Sequence, residues 1–206
     1  MEKLPLDERG LFVVVSAPSG TGKTTICKEV LKIVPGLRFS ISCTTREPRR
    51  GESDGRDYHF ISKEEFEKRI SGGDFVEWAE NHGHLYGTLK KNVEGLVHEG
   101  YDVLFDVDPR GAKELKSQYN GAVFVFILPP SIDILKERLK RRGSEKNDMM
   151  NARFERAFKE IREVVWYDYA IFNDIIDESV DVLKSVYKAE KNRRERLNNR
   201  IKNIIG

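Results

Sequence analysis

The segment from Leu11 to Pro35, LFVVVSAPSGTGKTTICKEVLKIVP, constrains the fold of this chain more than any other part of the sequence. An apolar, β-branched run comes first, a turn of small residues follows, and a stretch with helical spacing completes the unit. A strand, a loop and a helix in this order form a nucleoside triphosphate site, because loop N–H groups and the helix N-terminus converge on phosphate oxygens. An ordinary glycine-rich turn is the alternative, and the flanking strand and helix disfavour it.

The residues of this phosphate-binding loop (P-loop) have distinct expected tasks. Lys23 can reach β- and γ-phosphate oxygens, and the hydroxyl of Thr24 can bind Mg²⁺. Ala17 stands where the G-x-x-x-x-G-K-S/T pattern has its first glycine, whereas Gly20 and Gly22 remain for the tight part of the loop. The residues predicted to surround the triphosphate are Ala17, Pro18, Ser19, Gly20, Thr21, Gly22, Lys23, Thr24 and Thr25.

Composition excludes several classes of protein. The 206 residues suffice for one well-buried domain with small insertions. A net charge of +2 lacks the basic excess of a dedicated nucleic-acid binder. Cys27 and Cys43 fit neither a disulfide framework nor a zinc site. The apolar runs are too short to cross a bilayer and the first residues lack the apolar core of a signal peptide, so we expect no membrane partner and a cytoplasmic location. The sequence allows an oligomer but does not predict one.

Strand and helix patterns alternate along most of the chain, which predicts an α/β fold with a parallel sheet covered by helices, a P-loop three-layer fold. The predicted strands are Leu11–Ser16, Tyr101–Val107, Ala122–Leu128 and Tyr169–Asn173. The predicted helices are Lys23–Ile33, about Lys90–Glu99, the region around Gly111–Tyr119, Ser131 to about Arg142, Met149–Val165 and Val180 onward.

Two regions interrupt the alternation. Residues 38–88 carry short strand signals and one helix, which Ser62 and Glu65 cap, and they predict a small β-rich insertion that could hold an acceptor substrate. The polar segment Arg141–Asp148 lies between two helices, as a mobile lid would. We therefore predict a core of residues 1–37 and 89–206, with a lid at about 141–153, and an insertion of residues 38–88.

An arginine-rich loop follows the first strand of the insertion. Arg46, Arg49 and Arg50 lie close together, and Tyr58 follows a glycine-rich turn. Guanidinium groups and a phenol suit a dianionic phosphate, because they offer bidentate charge-assisted hydrogen bonds and one neutral donor. A solvated surface loop is the alternative.

Acidic residues in apolar strands form two further candidates. Glu77, inside FVEWAE, is a carboxylate that needs hydrogen-bond donors, and a guanine offers its ring N1–H and its N2 amine. A salt bridge between Glu77 and a nearby Lys or Arg side chain is the alternative. Asp106 and Asp108 end the apolar run LFDVD, where P-loop enzymes place the aspartate that supports Mg²⁺. A buried structural carboxylate is the alternative for Asp106.

With these residues together, the chain resembles the guanylate kinase family from about Phe12 to Lys188. The resemblance depends on APSGTGKT, SISCTTREPRRGESDGRDYHFIS, FVEWAENHGHLYGT, DVDPRGA, LPPS and LKRRGSE. It implies a P-loop core, a guanylate-binding insertion and a lid, which together transfer the γ-phosphate of ATP to GMP with Mg²⁺ as cofactor. The chain departs from the family at Arg110, where the family usually has Gln.

The resemblance also implies roles for individual residues. Ser42, Glu77 and Thr88 would recognise the guanine of GMP or dGMP, while Arg46, Arg49, Tyr58 and Tyr86 would hold its phosphate. Asp106 and Asp108 match the acidic pair between the two substrates, with Thr24 and, through water, Asp106 on Mg²⁺. Arg138, Arg142 and Arg153 match the arginines that close on the ATP phosphates, and Asn173 lies near the expected adenine pocket. The residues predicted to be catalytic are Lys23, Arg46, Arg142 and Arg153.

Two other functions stay open from the sequence. A guanylate-kinase-like domain that binds proteins without catalysis is the first, but such domains tend to lose the P-loop lysine, which is present here as Lys23. A P-loop kinase for a sugar bisphosphate is the second, and it would have no use for Ser42, Glu77 and Thr88 as a base-recognising group.

Overall fold

A five-stranded parallel sheet of apolar strands forms the core of the structure, a computed structural model that describes residues 4–5, 10–81, 83–141 and 147–206. Side chains are described for residues 10–81, 83–140 and 151–206. The strands in chain order are β1 (Leu4–Pro5), β2 (Phe12–Ser16), β3 (Leu37–Phe39), β4 (Cys43–Thr44), β5 (His59–Phe60), β6 (Phe75–Asn81), β7 (His84–Leu89), β8 (Asp102–Asp106), β9 (Tyr119–Asn120), β10 (Val123–Leu128) and β11 (Tyr169–Phe172).

The helices fall between these strands, as the alternating pattern predicts. They are α1 (Lys23–Ile33), α2 (Lys63–Ser71), α3 (Lys90–His98), α4 (Pro109–Gln118), α5 (Ile132–Arg141), α6 (Asn147–Ile161), α7 (Ile176–Lys191) and α8 (Asn198–Ile205), with 3₁₀ helices at Arg162–Trp166 and Arg194–Leu197. The core sheet has the order β11-β10-β2-β8-β3, and all of its strand pairs are parallel.

The central strand β2 is buried on both faces because helices cover both sides of the sheet. Val13 and Val15 belong to the apolar cluster that includes residues of α1 and α7. Phe12 and Val14 point the other way, into the cluster that includes residues of α3 and α4. This alternation produces the three layers, and it confirms the predicted α/β fold with a parallel sheet core.

A second sheet, of order β5-β4-β7-β6, lies between β3 and α3 in the chain. It has a small core of its own, in which the rings of Phe66 and Phe75 stack with centroids 4.4 Å apart. The helix within it begins as predicted, since the hydroxyl of Ser62 accepts a hydrogen bond from the N–H of Glu65. The residues expected to form a β-rich insertion therefore pack around a separate apolar cluster.

The start of this insertion differs from the prediction by two residues. Arg38 and Phe39 pair with β8 and so lie in the core sheet. The alternation of residues 39, 41 and 43 resembles one strand, but the chain leaves the core sheet at Ser40, whose N–H and hydroxyl both donate to the carbonyl of Leu104. A pattern of alternating side chains cannot show that a strand changes sheets at its middle.

Most other boundaries agree with the predicted ones. Helix α1 covers the predicted residues, whereas α7 begins at Ile176, four residues before the predicted Val180. The predicted helix over Met149–Val165 is divided into α6 and a 3₁₀ turn. Of the predicted lid, residues 142–146 lie outside the described residues. In the described part of the chain, no helix has the length and apolar character needed to span a bilayer.

We expect Phe66→Ala to lower the free energy of unfolding by about 3–5 kcal/mol, because it removes a fully buried ring from the small core of the insertion. Urea denaturation followed by circular dichroism measures the change. Phe172→Ala is the matched control, since that ring is 65% exposed and its loss should leave the unfolding midpoint nearly unchanged. Equal midpoints for the two variants would contradict the separate insertion core.

Candidate active site

The P-loop lies at the carboxyl end of β2, the position that a parallel sheet offers to a phosphate. Gly20 and Gly22 have φ angles of +91° and +92°, a left-handed conformation that side chains disfavour. Gly22 is also the N-cap of α1, and no side chain caps this helix start within the described residues. The N–H groups of the first helical turn therefore lack a side-chain partner and suit an anion.

Asp106, the last residue of β8, connects the P-loop to the neighbouring strand. One of its oxygens lies 2.7 Å from the Nζ of Lys23, and the other accepts a hydrogen bond of 2.9 Å from the Thr24 hydroxyl. Lys23 also donates to the carbonyl of Val107 at 2.6 Å. Burial works against the ammonium, but the charge and hydrogen bond of Asp106 outweigh it, so that the pKa of Lys23 is raised and the side chain stays charged.

A cleft of about 270 Å³ begins at the P-loop and extends to the insertion. The predicted residues that line it are Ala17, Pro18, Ser19, Gly20, Thr21, Gly22, Lys23, Thr24, Thr25, Ser42, Arg49, Tyr58, Glu77, Tyr86, Asp106, Asp108 and Arg153. The predicted residues Arg46, Thr88, Arg138 and Asn173 are absent from its lining. The predicted Arg142 lies outside the described residues.

Glu77 is a buried carboxylate at the insertion end of this cleft, with only 4% of the residue exposed. It accepts a hydrogen bond of 2.7 Å from the Thr88 hydroxyl, whose oxygen lies 2.9 Å from that of Ser42. Because the Thr88 hydroxyl donates its proton to Glu77, it accepts a hydrogen bond from the Ser42 hydroxyl. Burial raises the pKa of Glu77 to about 7, the Thr88 hydrogen bond opposes this shift, and the charges of Asp108 and Glu114 add to it.

The arginine loop is held together by Glu52, which sequence reasoning missed. Arg46 donates to both oxygens of Glu52, at 2.9 and 3.0 Å, and its guanidinium lies 5.4 Å from the ring centroid of Tyr58. The N–H of Arg49 donates to the same carboxylate at 2.8 Å. Burial lowers the pKa of Arg46, but the hydrogen bond to Glu52 raises it, and the net result is a raised pKa. The sequence signal that could have identified Glu52 is an acidic residue six positions after Arg46 in a basic loop.

Asn173 is a buried residue that contacts the P-loop. Its side-chain N–H₂ donates to the carbonyl of Thr21 at 2.5 Å, and its side-chain oxygen accepts from Ser179 at 3.1 Å. Its backbone carbonyl accepts two hydrogen bonds of 3.2 Å from Arg138. In this structure the polar side-chain atoms of Asn173 are therefore occupied by protein partners.

Six further cleft residues were not predicted: the apolar Val107 and Ala157, and two pairs on β6 and α6. Ala79 and Asn81 follow Glu77 on the same face of β6, since alternate residues of a strand share a face. Arg156 and Glu160 reach the cleft from α6 and form an ion pair of 2.9 Å. The strand period could have identified Ala79 and Asn81. Arg156 and Glu160 lie three and seven positions after the predicted Arg153, a helical spacing that places them on the same face of α6.

Asp108 has a structural role that fixes the start of α4. Its Oδ1 accepts hydrogen bonds of 3.0 Å from the N–H groups of Arg110 and Gly111. The helix therefore begins directly after Asp108, with Pro109 in the first turn. Arg110, the departure from the family pattern, takes part in this cap through its backbone, so its side chain does not disturb the helix start.

Together, the parallel sheet, the P-loop after its central strand and the lysine held by Asp106 define a P-loop nucleotide-binding protein. Comparison with known proteins narrows this class. The guanylate kinase family model matches residues 9–190. A guanylate kinase of Geobacter metallireducens is 48% identical over 90% of this chain and 92% of its own length. One of Carboxydothermus hydrogenoformans is 48% identical over 94% of this chain and 95% of its own length.

A solved structure agrees with these relatives. The guanylate kinase from Anaplasma phagocytophilum superposes with a TM-score of 0.76 and 34% identity, over 91% of this chain and 89% of that one. The chain belongs to the guanylate kinase family. The resemblance inferred from the sequence motifs is thereby confirmed.

We expect the carboxyl group of Glu77 to titrate at about pH 7 in the free protein, and Thr88→Val to raise that pKa further, because the Thr88 hydrogen bond favours the ionised form. A ¹³C NMR titration of labelled glutamate side chains measures both values. Ser71→Ala is the control, since that hydroxyl donates to a backbone carbonyl of α2. A pKa of about 4.3, the value for an unperturbed glutamate, would show that Glu77 is not desolvated.

Proposed function

We propose that this protein transfers the γ-phosphoryl group of ATP to GMP, giving ADP and GDP. The observation that carries the proposal is the buried Glu77, bonded to Thr88 and lining the same cleft as Lys23 of the P-loop. A carboxylate so placed has no role in holding a triphosphate, but it matches the two adjacent N–H donors of a guanine. The relatives named guanylate kinase support the same assignment.

The ATP end of the cleft is formed by the P-loop. Its N–H groups and the start of α1 would cradle the phosphates, and Lys23 would leave Asp106 to reach the β- and γ-phosphate oxygens. Arg138 and Arg142 are proposed to contribute from the end of α5 and beyond it, with Asn173 near the adenine.

The residues around Asp106 fit Mg²⁺. A hydroxyl and a carboxylate are hard oxygen donors, and Thr24 Oγ1 lies 2.9 Å from Asp106 Oδ2. Among the described side chains, no three or more His, Cys, Asp or Glu are placed so that they could hold a metal ion together, and Mg²⁺ at phosphate sites characteristically uses few protein ligands. Thr24 would bind the ion directly and Asp106 through water. When bound, Mg²⁺ would neutralise charge on the phosphates.

The GMP end is formed by the insertion. Glu77 would accept hydrogen bonds from the guanine N1–H and N2 amine, and the hydroxyls of Ser42 and Thr88 would complete the base site. The phosphate would lie against Arg49, Tyr58, Tyr86 and Arg46. The Nε of Arg46 is buried and has no hydrogen-bond partner among the residues that the structure describes. We propose dGMP as a second acceptor.

No general base is needed for the transfer, because the acceptor is an already ionised phosphate oxygen. That oxygen forms a bond to the γ-phosphorus while the bond to the β-phosphate oxygen breaks, and the electron pair of the broken bond stays on ADP. Catalysis is then positioning and charge neutralisation by Lys23, Arg46, Arg142 and Arg153. Closure over the cleft would exclude water, which could otherwise accept the phosphoryl group.

The two other functions receive less support. A protein-binding domain without catalysis would not need Lys23 held beside Asp106 at 2.7 Å. A sugar bisphosphate offers no ring N–H beside an exocyclic amine, so in its complex the buried carboxylate of Glu77 would keep only its hydrogen bond from Thr88.

We expect Lys23→Ala to lower kcat by roughly 10²–10³-fold or more while GMP binding is retained, because the lysine serves the transferred group and not the acceptor. A coupled assay measures kcat, and calorimetry measures GMP binding. Lys32→Ala is the control from the same helix, since that side chain is 66% exposed. Wild-type turnover in Lys23→Ala would remove the assignment of the P-loop as the ATP site.

We expect Glu77→Gln to lower kcat/KM for GMP by roughly 2–4 kcal/mol in transition-state free energy, because an amide N–H₂ would face a guanine donor. The wild type should reject AMP by about 10⁴-fold, since adenine presents an acceptor at N1 and no amine at C2. Steady-state kinetics with ATP and each of GMP, AMP, CMP and UMP test both points.

Glu80→Gln is the matched control for this experiment, because Glu80 lies on the exposed face of the same strand. It should leave GMP kinetics unchanged. Comparable use of AMP by the wild type, or unchanged GMP kinetics in Glu77→Gln, would overturn the acceptor assignment.

A further inference from the structure

Side chains of helix α4 bond to the edge strand of the insertion sheet, at the peptide groups before and after Glu77. Strand β6 is an edge strand of that sheet, so its outward peptide groups have no neighbouring strand. The carbonyl of Val76 accepts a hydrogen bond of 2.7 Å from Gln118, and the N–H of Trp78 donates to Glu114 at 2.9 Å. The two peptide groups that flank Glu77 are therefore held by side chains of a core helix.

Gly111, one turn before Glu114 on the same helix, contacts the side chain of Glu77 itself. A Cβ atom at this position would lie 2.4 Å from Glu77 Oε2 and 3.2 Å from Glu77 Cδ. Gly111 does not have a positive φ angle, so its backbone does not require a glycine. What requires the glycine is the close approach of the carboxylate.

Gly111, Glu114 and Gln118 are spaced by three and four residues, so they share one face of α4, which we call the α4 contact face. The N-cap of the same helix is Asp108, two residues after Asp106. The α4 contact face therefore links the base-recognising carboxylate directly to the strand end that holds Lys23.

We propose that the α4 contact face is a positioning device for guanine recognition, and that Gly111 is its specificity-determining residue. The proposal rests on the proposed function. On one side Glu77 is held by Thr88 at 2.7 Å, and on the other side it abuts Gly111. A methyl group at residue 111 can be accommodated only if the carboxylate moves, which would misalign its oxygens with the two N–H donors of a guanine.

Gly111→Ala tests this directly, with Gly95→Ala as the matched control. Gly95 also lies inside a helix, α3, and a Cβ added there would meet nothing within 4 Å. Both changes favour the helical conformation, so neither should lower the thermal midpoint through helix propensity. Only Gly111→Ala should change the recognition of the base.

The expected result is a rise in the Kd and KM for GMP of roughly 10–100-fold in Gly111→Ala, the effect of losing one charge-assisted hydrogen bond between the carboxylate and the base. The Kd for a non-hydrolysable ATP analogue, and kcat at saturating GMP, should stay within a few-fold of the Gly95→Ala values. Calorimetry and kinetics at about pH 8.5 keep Glu77, with its pKa of about 7, ionised in every variant. A GMP affinity equal to that of Gly95→Ala would overturn the proposal.

A second pair of variants covers the case in which Gly111→Ala does not fold. Glu114→Gln keeps an oxygen that can accept from the Trp78 N–H, whereas Glu114→Ala removes it. Under the same conditions, Glu114→Ala should weaken GMP binding and Glu114→Gln should restore it. Equal GMP affinities in the two variants would contradict the positioning role.

The wild type separates this proposal from the proposed function. If the wild type phosphorylates GMP and the variants do so with unchanged KM, the positioning role fails and the function stands. If the wild type neither binds nor phosphorylates GMP, the proposed function fails, and the positioning role fails with it.

Discussion

The contact of Asp106 with Lys23 and Thr24 is the interaction on which the rest of the site depends. It exists because the parallel register places Val15 of β2 opposite Asp106 of β8, so that the P-loop and an acidic strand end emerge side by side. From Asp106 the chain turns into α4, whose first turn is capped by Asp108. The same short stretch thus anchors the triphosphate loop and starts the helix that reaches the insertion.

The parts of this arrangement that lie close together in the chain could be predicted from the sequence. The P-loop, α1 and the capped start of α2 follow from local rules: period, glycine conformation and side-chain caps. Individual site residues such as Glu77 and Asp106 could also be identified, because a carboxylate in an apolar strand is a local anomaly. The sequence therefore indicated these two residues before the fold was known, and the structure places both in the lining of one cleft.

What could not be predicted depends on contacts between distant segments. Glu77 and Gly111 touch although 34 positions separate them, and neither residue's neighbours indicate the contact. The hydrogen bond from the Asn173 side chain to the carbonyl of Thr21 also joins residues that are 152 positions apart in the chain. The transfer of residues 38 and 39 to the core sheet likewise depends on pairing with β8, which a side-chain pattern does not encode.

The raised pKa of Glu77 has a consequence for how the base site responds to its surroundings. With a pKa raised to about 7, the carboxyl group of Glu77 changes its protonation state near neutral pH and not in the acidic range of an exposed glutamate. If Glu77 accepts the two N–H donors of a guanine, as we propose, the ionised carboxylate is the form that binds, and binding would release the proton of a protonated Glu77. Base binding and proton release would then be linked equilibria, so acidification through the pKa of Glu77 would weaken the affinity for the base.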